Sequence, residues 1–181
     1  MSWAQTDGGT TDSKLQSITD NGSITFLRAA SKLQDAFMLL DQQKLIDAAA
    51  TGMAAANEFA DAGSNFERAT QHLKEYTNTG RELGLHLKSI DYSKRIDALK
   101  LAGGQESPLA RYIRREIDDG GPEGLFTAAT RVAAMLRERS NDFFNEVKQT
   151  GKVDAGKSAA LLASLGQALI FGACASAFLA K

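Results

Sequence analysis

The stretch LIDAAATGMAAANEFADAGSNFERATQHL, residues 45–73, carries the most regular hydrophobic pattern in this chain of 181 residues. Small and apolar residues recur at alternating intervals of three and four, which keeps their side chains on one face of a helix. Because alanine and glycine allow a second helix to approach closely, we expect this face to pack against another helix, in the same chain or in a second copy. We call the face the seam, and its predicted contact residues are Gly52, Ala56, Phe59, Phe66 and Leu73.

The remainder of the chain is also typical of a helical protein. It contains only two prolines and many residues of high helix propensity, and no segment alternates as a half-buried strand does. The sequence therefore predicts an all-α fold, a bundle of five or six helices around a hydrophobic C-terminal helix. Residues 1–12 are polar and rich in glycine and threonine, so we expect a disordered tail there and a single helical-bundle domain over residues 13–181.

Helix-breaking residues suggest where the helices end. We expect a short helix over residues 13–20 that stops at Asp20–Gly22, followed by a helix capped by Ser23. A capping box beginning at Ser64 predicts a break within the seam. Further along, Gly120 and Gly121 followed by proline predict the end of one helix and the start of the next.

The charge balance excludes an obvious attraction for nucleic acid. The chain has 21 basic and 22 acidic residues, and the small basic group around Arg114 has acidic neighbours. Cys174 is the single cysteine, and the N-terminal residues lack the pattern of a signal peptide. We therefore expect a cytoplasmic protein, with membrane association as the alternative, and no nucleic-acid partner.

One short motif matches a nucleotide-binding signature. Residues 151–158, GKVDAGKS, fit the P-loop pattern, whose backbone amides hold phosphate between a strand and a helix. The residues before Gly151 have the pattern of an amphipathic helix, and few residues remain after Ser158 to build the rest of a nucleotide-binding fold. We therefore interpret Gly151 as the residue after a helix C-terminus and Asp154 as the N-cap of the last helix.

No residue pattern indicates catalysis or metal binding. His72 and His86 are the only histidines, and on one helix they would lie about 21 Å apart, too far to share a metal ion. Carboxylates are scattered, and no serine or cysteine is linked to a base in the sequence. We therefore predict no catalytic residues, no metal site and no cofactor.

Residues 159–180, AALLASLGQALIFGACASAFLA, contain no charged side chain. Their length suffices to cross a bilayer, but they are rich in alanine and include a glutamine. A helix that is apolar on every side is either central in a bundle or in a membrane. The large residues that would form this core or membrane helix are Leu162, Leu165, Leu169, Phe171 and Phe178.

Three functions remain open on these patterns. The first is a non-enzymatic helical bundle that acts through protein–protein contacts, as a subunit, an adaptor or an oligomer. The second is a membrane-associated or membrane-inserting protein that uses residues 159–180. The third is a helical bundle that binds a small apolar ligand or a cofactor.

Overall fold

The computed structural model describes residues 7–75 and 108–179, and within them the secondary structure is helical without a strand. The helices are α1 (Asp7–Asp41), α2 (Leu45–Glu75), α3 (Pro108–Thr150) and α4 (Ala155–Leu179). The predicted all-α class is therefore confirmed. Residues 7–12, which we expected to belong to a disordered tail, are the first residues of α1, and residues 1–6 lie outside the described part. The division into a tail and one domain stays a prediction.

Helix α2 packs against α1 on one side and against α3 on the other. Its small residues face both neighbours, because Ala48, Ala55 and Ala62 are as fully buried as Ala49 and Ala56. The largest buried side chains come from all three helices: Phe26 and Leu33 from α1, Phe59 and Phe66 from α2, and Phe126, Val132, Leu136, Phe144 and Val147 from α3. Burial of these rings and branched chains is the main source of stability, at about 1.5–3 kcal/mol for each.

In its described part, helix α4 buries one side only, and its predicted central position stays a prediction. Only Leu161, Leu165 and Ala168 are buried there, whereas Leu162 is 45% exposed. Helix α4 contacts α1 and α3. Leu169, Phe171 and Phe178 lie in α4, but their side chains are outside the described residues.

The predicted break before Ser23 is wrong. Helix α1 continues through Asp20–Gly22, and Ser23 is buried within it and does not cap a helix. A Cβ atom at Gly22 would lie 3.1 Å from the ring of Phe66, so this glycine allows α1 and α2 to approach closely. Packing of this kind outweighs the cost of about 1 kcal/mol for a glycine within a helix.

The predicted break at Ser64 is also wrong, since α2 continues to Glu75. The Ser64 hydroxyl donates a hydrogen bond to the Ala60 carbonyl at 3.2 Å, one turn back in the same helix. Its hydroxyl is therefore occupied within the helix and does not cap a new one.

Helix α3 also continues where we predicted two helices, through Gly120 and Gly121 and the proline after them. It is nevertheless bent. The Arg131 guanidinium lies 3.2 Å from both the Tyr112 hydroxyl and the Glu116 carboxylate, although a straight helix would separate these residues by about 28 and 22 Å along its axis. The chain therefore bends sharply between Glu116 and Arg131, as proline-containing helices do. Packing of Tyr112 and Phe126 against the core on either side favours helix over a loop at the bend.

The turn between α1 and α2 contains a strained residue. Gln43 has a φ of 60°, a left-handed conformation that costs a residue with a Cβ atom about 1–2 kcal/mol. Its N–H donates to the Leu40 carbonyl and that of Lys44 to the Leu39 carbonyl, both at 2.9 Å. These two bonds define a Schellman motif, in which this position is usually glycine.

Gln43→Gly is therefore expected to raise the free energy of unfolding by about 0.5–1 kcal/mol, after allowing for the greater freedom of glycine in the unfolded chain. The neighbouring replacement Gln42→Gly is the matched control, because Gln42 is not among the described residues with positive φ. It should lower the free energy of unfolding. Chemical denaturation of both variants measures the difference, and equal effects would contradict the strain at Gln43.

Candidate functional site

The seam residue Gly52 lies directly against the side chain of Phe144 in α3. A Cβ atom built on Gly52 would overlap the Cγ, Cδ2 and Cε2 atoms of that ring. Both residues are buried, so the packing of α3 on α2 at this point depends on the absence of a side chain at position 52. At Gly52 the seam therefore packs against a helix of the same chain.

Phe144 is held from several sides. Its ring centroid lies 4.9 Å from that of Phe143 and 5.8 Å from that of Phe37, both at steep interplanar angles. Phe37 and Phe143 are stacked at 6.1 Å. Edge-to-face contacts of this kind favour one arrangement of the rings, so the Phe144 ring has little room to move away from Gly52.

Three other seam residues are also buried within this chain. Ala56 and Phe59 are at most 1% exposed, and the Phe59 ring meets Phe26 of α1 edge to face at 5.3 Å. Phe66 packs over Gly22 of α1. Leu73 belongs to α2, but its side chain lies outside the described residues. The described part of the seam therefore packs inside this chain. A contact of the seam with a second protein stays a prediction.

The P-loop-like motif has no phosphate-binding geometry. Gly151 follows the C-terminus of helix α3 with a φ of 64°, and its N–H donates to the Val147 carbonyl at 2.9 Å. The Asp154 carboxylate accepts the backbone N–H of Lys157 at 3.0 Å, so an acidic N-cap stands where a phosphate would have to bind. Both interpretations made from the sequence, a helix C-terminus at Gly151 and an N-cap at Asp154, are confirmed.

Two polar contacts join α3 to α4 beside this turn. The Lys157 ammonium lies 2.8 Å from the Glu146 carboxylate, and the Arg139 guanidinium donates to the Ser164 hydroxyl at 2.9 Å. The hydrogen bond and the charge of Glu146 raise the pKa of Lys157 above its ordinary value. The lysine of the motif is therefore engaged by a carboxylate of the preceding helix.

Comparison with known proteins finds no relative. No protein-family model, no curated protein and no solved structure matches this chain. A functional site can therefore be recognised only from the contacts of the described side chains.

Those side chains include no group of three histidine, cysteine or acidic residues that could hold a metal ion. His72 lies in α2 and Cys174 in α4, with side chains outside the described residues, and His86 lies in the segment between α2 and α3 that the structure does not describe.

Among the residues that the structure describes, no helix is long and apolar enough to cross a membrane.

Two surface features of α4 could receive another molecule. The first is the side of α4 that faces away from α1 and α3, with Ala159, Leu162, Ala163 and Gly166 exposed. We call it the α4 outer face. The second is a groove of about 390 Å³ between α3 and α4, lined by Arg139, Asp142, Phe143, Glu146, Lys157, Ala160 and Leu161. The sequence indicated Leu162 as a candidate residue but gave no sign of the groove.

Proposed function

We propose that this protein is a non-enzymatic helical bundle that acts through protein–protein contacts, and that the α4 outer face is its contact surface. The observation that carries the proposal is the exposure of Leu162, at 45%, on a face without any charge. On α3, by contrast, the consecutive exposed residues 137–139 are all charged. An exposed helical face without charges, beside charged neighbours, is typical of a surface that another protein covers.

The bundle arrangement and the count of five or six helices belong to this proposal. The turns of three and four residues, 42–44 and 151–154, favour antiparallel packing of α1 with α2 and of α3 with α4. The segment between α2 and α3 lies outside the described residues, so the number of helices stays a prediction. A cytoplasmic location likewise stays a prediction from the sequence.

Photo-crosslinking at position 162 tests the contact. A benzophenone amino acid in place of Leu162 is expected to give adducts of discrete mass in cells that make the protein. The same amino acid in place of Gln34, an exposed residue of α1, is the control and should give none. Absence of adducts at position 162, or equal adducts at both positions, would contradict a contact surface on α4.

A further inference from the structure

The groove between α3 and α4 combines an apolar floor with a charged rim. Phe143 and Leu161, which are 4% and 2% exposed, form the floor together with the exposed Ala160. The rim on α3 is formed by Arg139, Asp142 and Glu146, which are spaced three and four residues apart on one face of the helix. Lys157 lies opposite them on α4. Its volume of about 390 Å³ lies in the range of small-molecule sites, which usually join an apolar surface to a few polar groups.

Two of the four charged groups on the rim form no ion pair with a described residue. Glu146 and Lys157 neutralise one another at 2.8 Å. Arg139 donates to the uncharged Ser164 hydroxyl, so its positive charge and its other N–H groups are still available. Asp142 makes no hydrogen bond or ion pair with the described residues, although its charge contributes to raising the pKa of Lys157. One cation and one anion of the groove can therefore bind a ligand.

Arg139 and Asp142 are three residues apart in a helix, so their Cβ atoms are about 5–6 Å apart. A ligand that satisfies both must present a carboxylate and an ammonium group within a few ångströms of each other. A ligand that also covers Phe143 and Leu161 must carry an apolar group beside them.

We propose that this groove binds a free α-amino acid with an apolar side chain. The carboxylate accepts hydrogen bonds from the Arg139 guanidinium, the ammonium donates to the Asp142 carboxylate, and the side chain lies over Phe143, Leu161 and Ala160. The proposal is independent of the protein contact on the α4 outer face, and it gives a chemical class to the small-ligand alternative derived from the sequence.

Isothermal titration calorimetry of the full chain with L-phenylalanine tests the proposal, and binding at millimolar concentrations is expected. N-acetyl-phenylalanine lacks the ammonium, phenylalanine amide lacks the carboxylate, and glycine lacks the apolar group. Each should bind about tenfold more weakly, because each loses one of the three contacts. Weaker binding of the first two compounds would also show that the groove prefers a free amino acid to the terminal residue of a peptide.

Asp142→Asn and Arg139→Gln should each weaken binding of L-phenylalanine about tenfold, and Ala160→Trp should abolish it by filling the groove. All three residues are exposed, so the variants are expected to fold, which circular dichroism checks. Glu138→Gln, at an exposed α3 position that does not line the groove, is the control and should bind as the unmodified protein does. Undetectable binding of L-phenylalanine, equal binding of the N-acetyl compound, or unchanged binding in Asp142→Asn would overturn the proposal.

Discussion

Gly52→Leu is expected to lower the free energy of unfolding by about 3 kcal/mol, with loss of helix content on mild heating. The first atom of any side chain at position 52 would occupy the space of the Phe144 ring. That ring is fully buried and is held by Phe37 and Phe143, so it has no free space into which to move. The pattern of small residues alone predicts a loss of about 1–3 kcal/mol when a helix packs on the seam, and the overlap with an aromatic ring supports the upper end.

Gly63→Ala is the matched control for this variant, because Gly63 is in the same helix and on the same seam. A Cβ atom there would lie 3.5 Å from the Cβ atom of Ala133, which is an ordinary contact. This change should leave the free energy of unfolding unchanged or raise it by up to about 1 kcal/mol, through the higher helix propensity of alanine. Equal melting temperatures of Gly52→Leu and the unmodified protein would contradict the close packing of α2 on α3.

Leu165→Asp is expected to cost about 3–5 kcal/mol and to leave the protein largely unfolded or aggregated, because it places an unpaired carboxylate in the core. Leu165 is 2% exposed in α4, on the side that contacts the rest of the molecule. The cost would arise from the desolvation of the charge at a buried position.

Leu162→Asp, three residues earlier on the same helix, separates this effect from a general intolerance of aspartate in α4. Leu162 is 45% exposed, so its replacement should change the free energy of unfolding by no more than about 0.5 kcal/mol. Chemical denaturation followed by circular dichroism compares the two variants. Similar stability in both would show that α4 does not pack on the core through Leu165.

The sequence predicts those parts of the fold that follow from spacing. The seam is one example. Its spacing of three and four residues places Gly52, Ala56 and Phe59 on one face of α2, and all three are buried. The helix ends at Gly151 and Asp154 are another, because local backbone and side-chain hydrogen bonds decide them.

Features that depend on tertiary packing were predicted poorly. Gly22 has the local signature of a helix end, and only the position of the Phe66 ring shows why the helix continues. The central position of α2 was missed for a similar reason. Alanine is a weak hydrophobic signal, so the sequence did not show how many of the small residues of α2 are buried.

The groove between α3 and α4 was missed because its two walls come from different helices. The recurrence of Arg139, Asp142, Phe143 and Glu146 at helical spacing was visible in the sequence as one face of a helix. The facing residues Lys157 and Ala160 become part of the same surface only after the turn at Gly151 brings α4 back along α3.

The contact between Gly52 and Phe144 also constrains how this chain can change over evolution. The two positions behave as one unit, because a side chain at position 52 becomes tolerable only after position 144 carries a smaller residue than phenylalanine. Among homologues, alanine or serine at position 52 should therefore occur together with a smaller residue at position 144. Position 63, where a Cβ atom fits, should vary without such a partner.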